Sequence, residues 1–200
     1  MKLIDIGRSG QIRTVMMRYK INLHAPVFGW DKIRIRTYLV KYSKFSSVRR
    51  FEVYGENGQL KIEALAVWSM MSLEKMKLVA IPSEVKDMIE PYSGQTCVEK
   101  IQAPEEGDII KLQLRPDDFD HNGHVNNSKY FSFSSLGISD DINDGMTLKQ
   151  AVIAYEHGIS YGADAYLMSS LRDEGQNIII SQKLYFEDTR YALIHLVYGK

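Results

Sequence analysis

The sequence predicts an α+β protein made mostly of long antiparallel strands, and three observations point to that class. Apolar and polar residues alternate with period 2 through much of the first 70 residues and again in the last third of the chain. An Asn57-Gly58 pair sits between two such runs, the turn chemistry of a β-hairpin. The second half shows one strand, one helical stretch and then a run of strands, which is an α+β order.

The elements follow in order. In "IRTVMMRYKINLHAP", Tyr19, Ile21 and Leu23 alternate with Lys20, Asn22 and His24, giving a strand that ends near Pro26. "KIRIRTYLVKY" is a second, with Ile33, Ile35 and Leu39 opposite Arg34, Arg36 and Tyr38. "VRRFEVYGENGQLKIEALAVWSMM" reads as a hairpin turning at "GENG". From Ser72 to Gly107 the pattern loosens into a linker and covering segment, with one short helix between Pro82 and Pro91. "IIKLQLRP" restores alternation through Ile110, Leu112 and Leu114 until Pro116 stops it. "NNSKYFSFSSLG" suits a helix with Asn126 or Asn127 as N-cap and Gly137 near its end. The remainder supplies up to four strands punctuated by Gly162, "DEGQ" and "EDTR". In rhythm and turn placement "RRFEVYGENGQLKIEALAVW" matches "YLMSSLRDEGQNIIISQKLYF", as if one module occurred twice.

Composition excludes several classes. The chain has 200 residues, enough for one ordinary domain or two small ones, and 44% hydrophobic with 25% charged residues suits a soluble globular protein. Its 25 basic residues balance 25 acidic ones, so no global field calls for nucleic acid. Cys97 is the only cysteine, which excludes an intramolecular disulfide and suits a reducing compartment. The start has no apolar run of signal-peptide length, and no stretch approaches the ~20 apolar residues of a membrane span. A cytoplasmic protein is expected.

Residues 117–130, "DDFDHNGHVNNSKY", pose a choice. Asp118, Asp120 and Asn122 alternate before Gly123 and Val125, which is how a calcium-binding EF-hand loop begins. Its twelfth position needs a bidentate glutamate, and here that position is Lys129, a cation that would repel the ion. A strand rather than a helix precedes the loop. Calcium is therefore not expected.

The run Asp120-His121-Asn122-Gly123-His124-Val125-Asn126-Asn127, with Tyr130, resembles the D-x-N-x-H-V-N-N-x-x-Y signature of acyl-ACP thioesterases. The strands between Gly29 and Val85 are similar to that family's first module in order and spacing. The resemblance implies tandem hot-dog modules, each an antiparallel sheet wrapping a long helix. Residues 1–105 would be an incomplete first module plus linker, lacking its opening strand and helix, and 106–200 a second module with the active-site loop. It also implies hydrolysis of fatty acyl thioesters carried on acyl-phosphopantetheine of acyl carrier protein, releasing free fatty acids in fatty acid biosynthesis. No cofactor or metal is implied.

The chemistry of the loop fits such a reaction. Thioester hydrolysis needs an activated water and donors aimed at the developing oxyanion, and a loop ending at a helix start presents backbone N–H groups. His124 could orient or deprotonate water near neutral pH. Asp120 could hold a histidine tautomer or position the water, and Asn122 could donate to substrate or oxyanion. Taken singly, Asp and Asn before a helix are caps and turn formers.

The sequence departs from the family in three places. Similar thioesterases carry a glutamate or cysteine on a second-module strand, where this chain has Gly158. Glu156, two residues earlier, would return to the same strand face about 7 Å away and is the candidate replacement, whereas His157 would face the other side. The short start would leave an apolar sheet face for the 72–107 segment or a partner chain, as in a homodimer, to cover. Phe133 stands where a tryptophan often sits. Lys41, Lys44, Arg49 and Arg50, with Arg34 and Arg36, are the candidate patch for acidic carrier protein, equally readable as a solvated strand face. A non-catalytic acyl-thioester binding or sensing module is the competing reading.

Overall fold

The alternation in the first 70 residues produces strands β1 (Ile12–Leu23), β2 (Ile33–Tyr42), β3 (Ser47–Gly55) and β4 (Leu60–Ser72). The structure is a computed structural model, and residues 11–200 are described. The chain forms two compact units, one ending at Glu99 and the other beginning at Lys100. In the first, the antiparallel order is β2-β3-β4-β1, and the short β5 (Lys77–Val79) pairs with the end of β4. The β3–β4 turn closes through Gly55 N–H to Gln59 O at 2.9 Å, with Gly58 at φ +79°, a conformation that favours glycine. The expected helix between the two prolines is a 3-10 segment, Ser83–Met88.

Cross-strand partners share a face, so the register sorts the first sheet's side chains. One face carries the rows Tyr38, Arg50, Leu65, Lys20 and Arg36, Glu52, Glu63, Asn22. The centre of this charged face is buried. Arg50, Glu52 and Lys20 are each under a tenth exposed, while Ile33 and Ile35 on the opposite face are 43% and 59% exposed. The cover is residues 89–99, the end of the expected covering segment. Ile89 pairs in parallel with Leu39, Glu90 bonds Arg36, the Tyr92 ring lies 4.6 Å from the Arg50 guanidinium, and Glu99 meets Lys20 at 2.8 Å.

The charges under that cover satisfy one another. Arg50 Nε donates to Glu52 at 2.8 Å and Arg50 Nη2 to Glu63. The Tyr38 and Tyr54 hydroxyls each donate to Glu52 at 3.0 Å, and Asn22 donates to Glu63 at 3.0 Å. Two of the expected docking cations are thereby committed: Arg50 inside this network and Arg36 to Glu90. On the apolar face Leu39 and Met70 pack at one end against Ile81 and Val85, and Ala64 and Ala66 are buried farther along.

The second unit opens with β6 (Asp108–Lys111), which stops sooner than the alternation through Leu114 suggested; Leu112 N–H instead bonds Ala165 O. Helix α1 (Lys129–Ser135) follows the loop, then α2 (Asp140–Gly145). Strands β7 (Thr147–Tyr155), β8 (Tyr166–Asp173), β9 (Asn177–Phe186) and β10 (Thr189–Gly199) complete the order β6-β8-β9-β10-β7. The expected long helix is replaced by two short ones, because the chain turns at Gly137. A Cβ there would fall 2.1 Å from Ser169 Oγ. That close approach lets the fully buried Gln182 bond Ser134 through both ends of its amide and Ser169 Oγ at 2.9 Å. Helix α2 went unpredicted, although Ser139 before Asp140 and Asp141 is a recognisable start.

Topology corrects the internal match. Order β2-β3-β4-β1 corresponds to β8-β9-β10-β7, so the "GENG" turn matches the β9–β10 turn at Glu187–Asp188, not "DEGQ". The hydrophobic rhythm was one strand out of step, since every hairpin of a meander shows the same period. β6 and α1 have no counterpart among the described residues of the first unit. The expectation of a missing opening strand and helix concerns residues ahead of Gln11, outside the described ones.

Truncating Arg50 would strand two carboxylates beneath the cover. Arg50→Ala is expected to destabilise the first unit by about 3–5 kcal/mol, read by urea denaturation, and a loss below about 1 kcal/mol would contradict the network. Burial pushes the Glu52 and Glu63 carboxyls up, but hydrogen bonds, led by Arg50 on Glu52 and by Asn22 and Arg50 on Glu63, leave both below the ordinary range. Their stabilisation is therefore complete above the unfolded value and disappears as pH falls through the lowered folded one. Thermal unfolding should shift downward below about pH 4, and less so in Glu52→Gln.

Candidate active site

The loop between β6 and α1 is built around two carboxylates. A 3-10 turn, Pro116–Asp118, brings Asp118 beneath the loop, where its carboxylate accepts Arg115 N–H at 2.8 Å and meets Lys129 Nζ at 3.1 Å. Lys129, the residue that breaks the calcium pattern, thus supplies a cation to the first carboxylate of that pattern. Asp120 closes the next turn. Its Oδ1 accepts the N–H groups of Asn122 at 2.8 Å and His124 at 3.3 Å, and its Oδ2 accepts Asn122 Nδ2 at 3.0 Å. Gly123, at φ +75°, lets the chain reverse so that Asp120 N–H reaches His124 O at 2.7 Å. Burial pushes the Asp120 carboxyl up, but these three donors more than offset it, and the group stays ionised at neutral pH.

The returning strand pins the loop to residues 158–161. Val125 is buried and its N–H bonds Ile159 O at 2.9 Å, His124 pairs with Ser160, and Tyr161 N–H bonds Gly123 O at 3.1 Å. The helix then begins at Ser128, not at an asparagine cap. Asn126 acts one step earlier, its Oδ1 accepting both the N–H and the hydroxyl of Ser128 at 3.0 and 2.8 Å, while its backbone oxygen takes Lys129 N–H at 2.9 Å. The N–H groups of Ser128 and Lys129 are thus already used, contrary to the expectation of free donors at the helix start. Tyr130 and Phe133 are buried, and the Tyr130 ring stands edge-on to Tyr155 at 5.2 Å. Burial pushes the Tyr130 phenol up to about 12, so it remains neutral. Phe133 fills its site by packing alone.

Gly158 and Glu156 take distinct positions. A Cβ placed on Gly158 would lie 2.6 Å from His124 Cδ2 and 3.3 Å from Cγ, so the imidazole rests on the bare glycine backbone. Any side chain at 158 and this histidine rotamer exclude each other. Among the described residues nothing hydrogen-bonds the exposed His124 ring. Glu156 is not brought to the loop. Its carboxylate takes both Arg190 Nε at 2.7 Å and Nη2 at 2.8 Å, a bidentate pair across to β10. His157 Nδ1 lies 2.9 Å from Arg190 O. The structure thus gathers Asp120, Asn122 and His124 on one turn and leaves Glu156 with Arg190. Strand β7 ends at Tyr155, so residues 156–158 do not keep the strand alternation expected of them, and the seat that Gly158 gives His124 was not legible from that pattern.

Two family models cover most of the chain: the Acyl-ACP thioesterase N-terminal domain matches residues 9–89 and the Acyl-ACP thioesterase C-terminal domain residues 101–199. The chain belongs to the acyl-ACP thioesterase family. A chloroplastic acyl-[acyl-carrier-protein] hydrolase of Cuphea viscosissima is 28% identical over 150 residues, 70% of this chain and 36% of that protein. A chloroplastic palmitoyl-acyl carrier protein thioesterase of Arabidopsis thaliana is 29% identical over 155 residues, 72% of this chain and 37% of that one. The chain thus spans about a third of the length of these curated relatives. Two solved structures share the hot-dog fold. An acyl-ACP thioesterase from Bacteroides thetaiotaomicron aligns with TM-score 0.84 at 17% identity over 96% of this chain and 79% of that chain. The 12:0-ACP thioesterase from Umbellularia californica aligns with TM-score 0.83 at 16% identity over 100% and 78%. This family member has no helix among its described residues long and apolar enough to cross a membrane.

Gly158→Ala is expected to turn the His124 ring out of its seat. In the wild type a nuclear Overhauser contact should link His124 Hδ2 with Gly158 Hα, and the alanine variant should lose it. Its persistence in the variant would contradict the packing.

Proposed function

We propose that this chain hydrolyses the thioester of fatty acyl groups carried on acyl carrier protein, with Asp120, Asn122 and His124 carrying the reaction. The single observation behind this reading is the arrangement of the turn. An ionised Asp120 locks Asn122 and the backbone of His124, while the imidazole stands exposed on Gly158 with no hydrogen bond to its ring among the described residues. The neutral ring accepts a proton from water as that water's oxygen attacks the carbonyl carbon. The resulting oxyanion is met by the Asn122 amide, whose orientation Asp120 holds. The C–S bond then breaks, the imidazolium returns its proton to the departing thiolate, and free fatty acid and thiol leave.

Residues 1–105 are read as the first hot-dog module with its linker, and 106–200 as the second module, which carries the reacting loop. A reducing compartment, the cytoplasm in a cell without plastids, suits the single, exposed Cys97; the plant relatives are named as chloroplastic. Lys41, Lys44, Arg34 and Arg49 remain as cations for an acidic carrier surface.

Gly158 supports a second reading, an acyl-thioester binding module without turnover, because the segment after β7 that lies beside His124 offers neither carboxylate nor thiol there. Release of free fatty acid from a panel of acyl-ACPs separates the two. Turnover is expected, with His124→Ala slower by about 10²–10⁴-fold and Glu156→Ala within a few-fold of wild type because its carboxylate is committed to Arg190. Folded protein that binds acyl-ACP and releases no acid at any chain length would establish the second reading.

A further inference from the structure

A groove of about 280 Å³ runs beside the loop within the second unit, walled by Phe119 and Tyr161 and lined by Leu112, Leu114, Pro116 and Arg115. The two aromatic rings meet edge-on at 5.1 Å, and Tyr161 is 71% exposed, a large apolar surface to leave to water. The groove is continuous with the reacting turn. Phe119 directly precedes Asp120 and pairs with Val125, while Tyr161 N–H holds Gly123 O and its neighbour Ser160 pairs with His124.

The charges around this groove are unevenly committed. Asp164, which also lines it, is tied to Lys111 at 2.9 Å, and the nearby Asp118 is tied to Lys129. Arg115 has no ion pair among the described residues, and it also lines the adjoining hollow beside Phe133 and Leu136. A guanidinium with no ion pair among the described residues, on an aromatic-walled groove whose lining mixes apolar side chains with Arg115 and Asp164, suits a flexible, amide-bearing and otherwise uncharged chain that ends in a phosphate.

We propose that this groove receives the phosphopantetheine arm of the substrate, with Phe119 and Tyr161 flanking the pantetheine and Arg115 binding the phosphate. The assignment rests on the thioesterase reading for its ligand, but it can be tested without turnover. The arm would deliver its sulfur to the turn that carries His124, and the phosphate would be read by a residue upstream of Asp120 on the same segment.

The test is NMR titration with free 4′-phosphopantetheine and with pantetheine, on wild type, Arg115→Ala and Tyr161→Ala. Wild type should bind the phosphorylated compound about tenfold more tightly, the worth of one charge-assisted contact. Arg115→Ala should lose that preference while binding pantetheine as before, and Tyr161→Ala should weaken both compounds and keep the preference. Equal binding of the two compounds by wild type would overturn the proposal, as would a loss in Arg115→Ala shared equally by both. Phosphate-selective binding by a protein without turnover would refute hydrolysis and leave the groove assignment standing. Turnover without phosphate selectivity would do the reverse.

Discussion

The carboxylate of Asp120 is the interaction on which the site depends. It accepts three hydrogen bonds from a five-residue turn, and each fixes a different part of it: the Asn122 backbone, the Asn122 amide and the His124 backbone. A neutral group there would bind these donors more weakly, since hydrogen bonds to an ionised acceptor are about twice as strong. The turn is too short to carry a core of its own, so its order comes from this charge and from the pairing of His124 and Val125 with residues 159 and 160. The imidazole is then placed by subtraction, against a residue that has no side chain.

The same economy of charge appears beneath the loop and in the first unit. Asp118 is buried because Lys129 and the Arg115 N–H meet it. Arg50, Glu52 and Glu63 are covered because two tyrosines, an asparagine and the crossing segment complete their hydrogen bonds. Such networks demand completeness, since one missing partner leaves a charge exposed to a low-dielectric surrounding. They also separate committed from uncommitted side chains: Arg36 and Arg50 are spent on the sheet and Glu156 on Arg190, whereas among the described residues Arg115 has no ion pair and the His124 ring no hydrogen bond.

Much of this was legible in local pattern. Period-2 alternation located β1 to β4 and the four closing strands because a strand's two faces differ in sequence whenever they differ in surroundings. The signature from Asp120 to Tyr130 marked the turn because its side chains bond their own backbone, an arrangement written within five residues. Lys129 was visible as a wrong residue for calcium, though its partner was not.

The sequence by itself determined the long strands, the turn and the family, since each rests on neighbours close along the chain. Only the tertiary structure decided which face of the first sheet is covered, that Gly137 interrupts the helix for Gln182, and that Gly158 seats His124 while Arg190 holds Glu156. These are contacts between residues far apart in sequence. Alternation reports that two faces differ but not which one another segment crosses, and a glycine shows that a side chain is missing but not what fills its space.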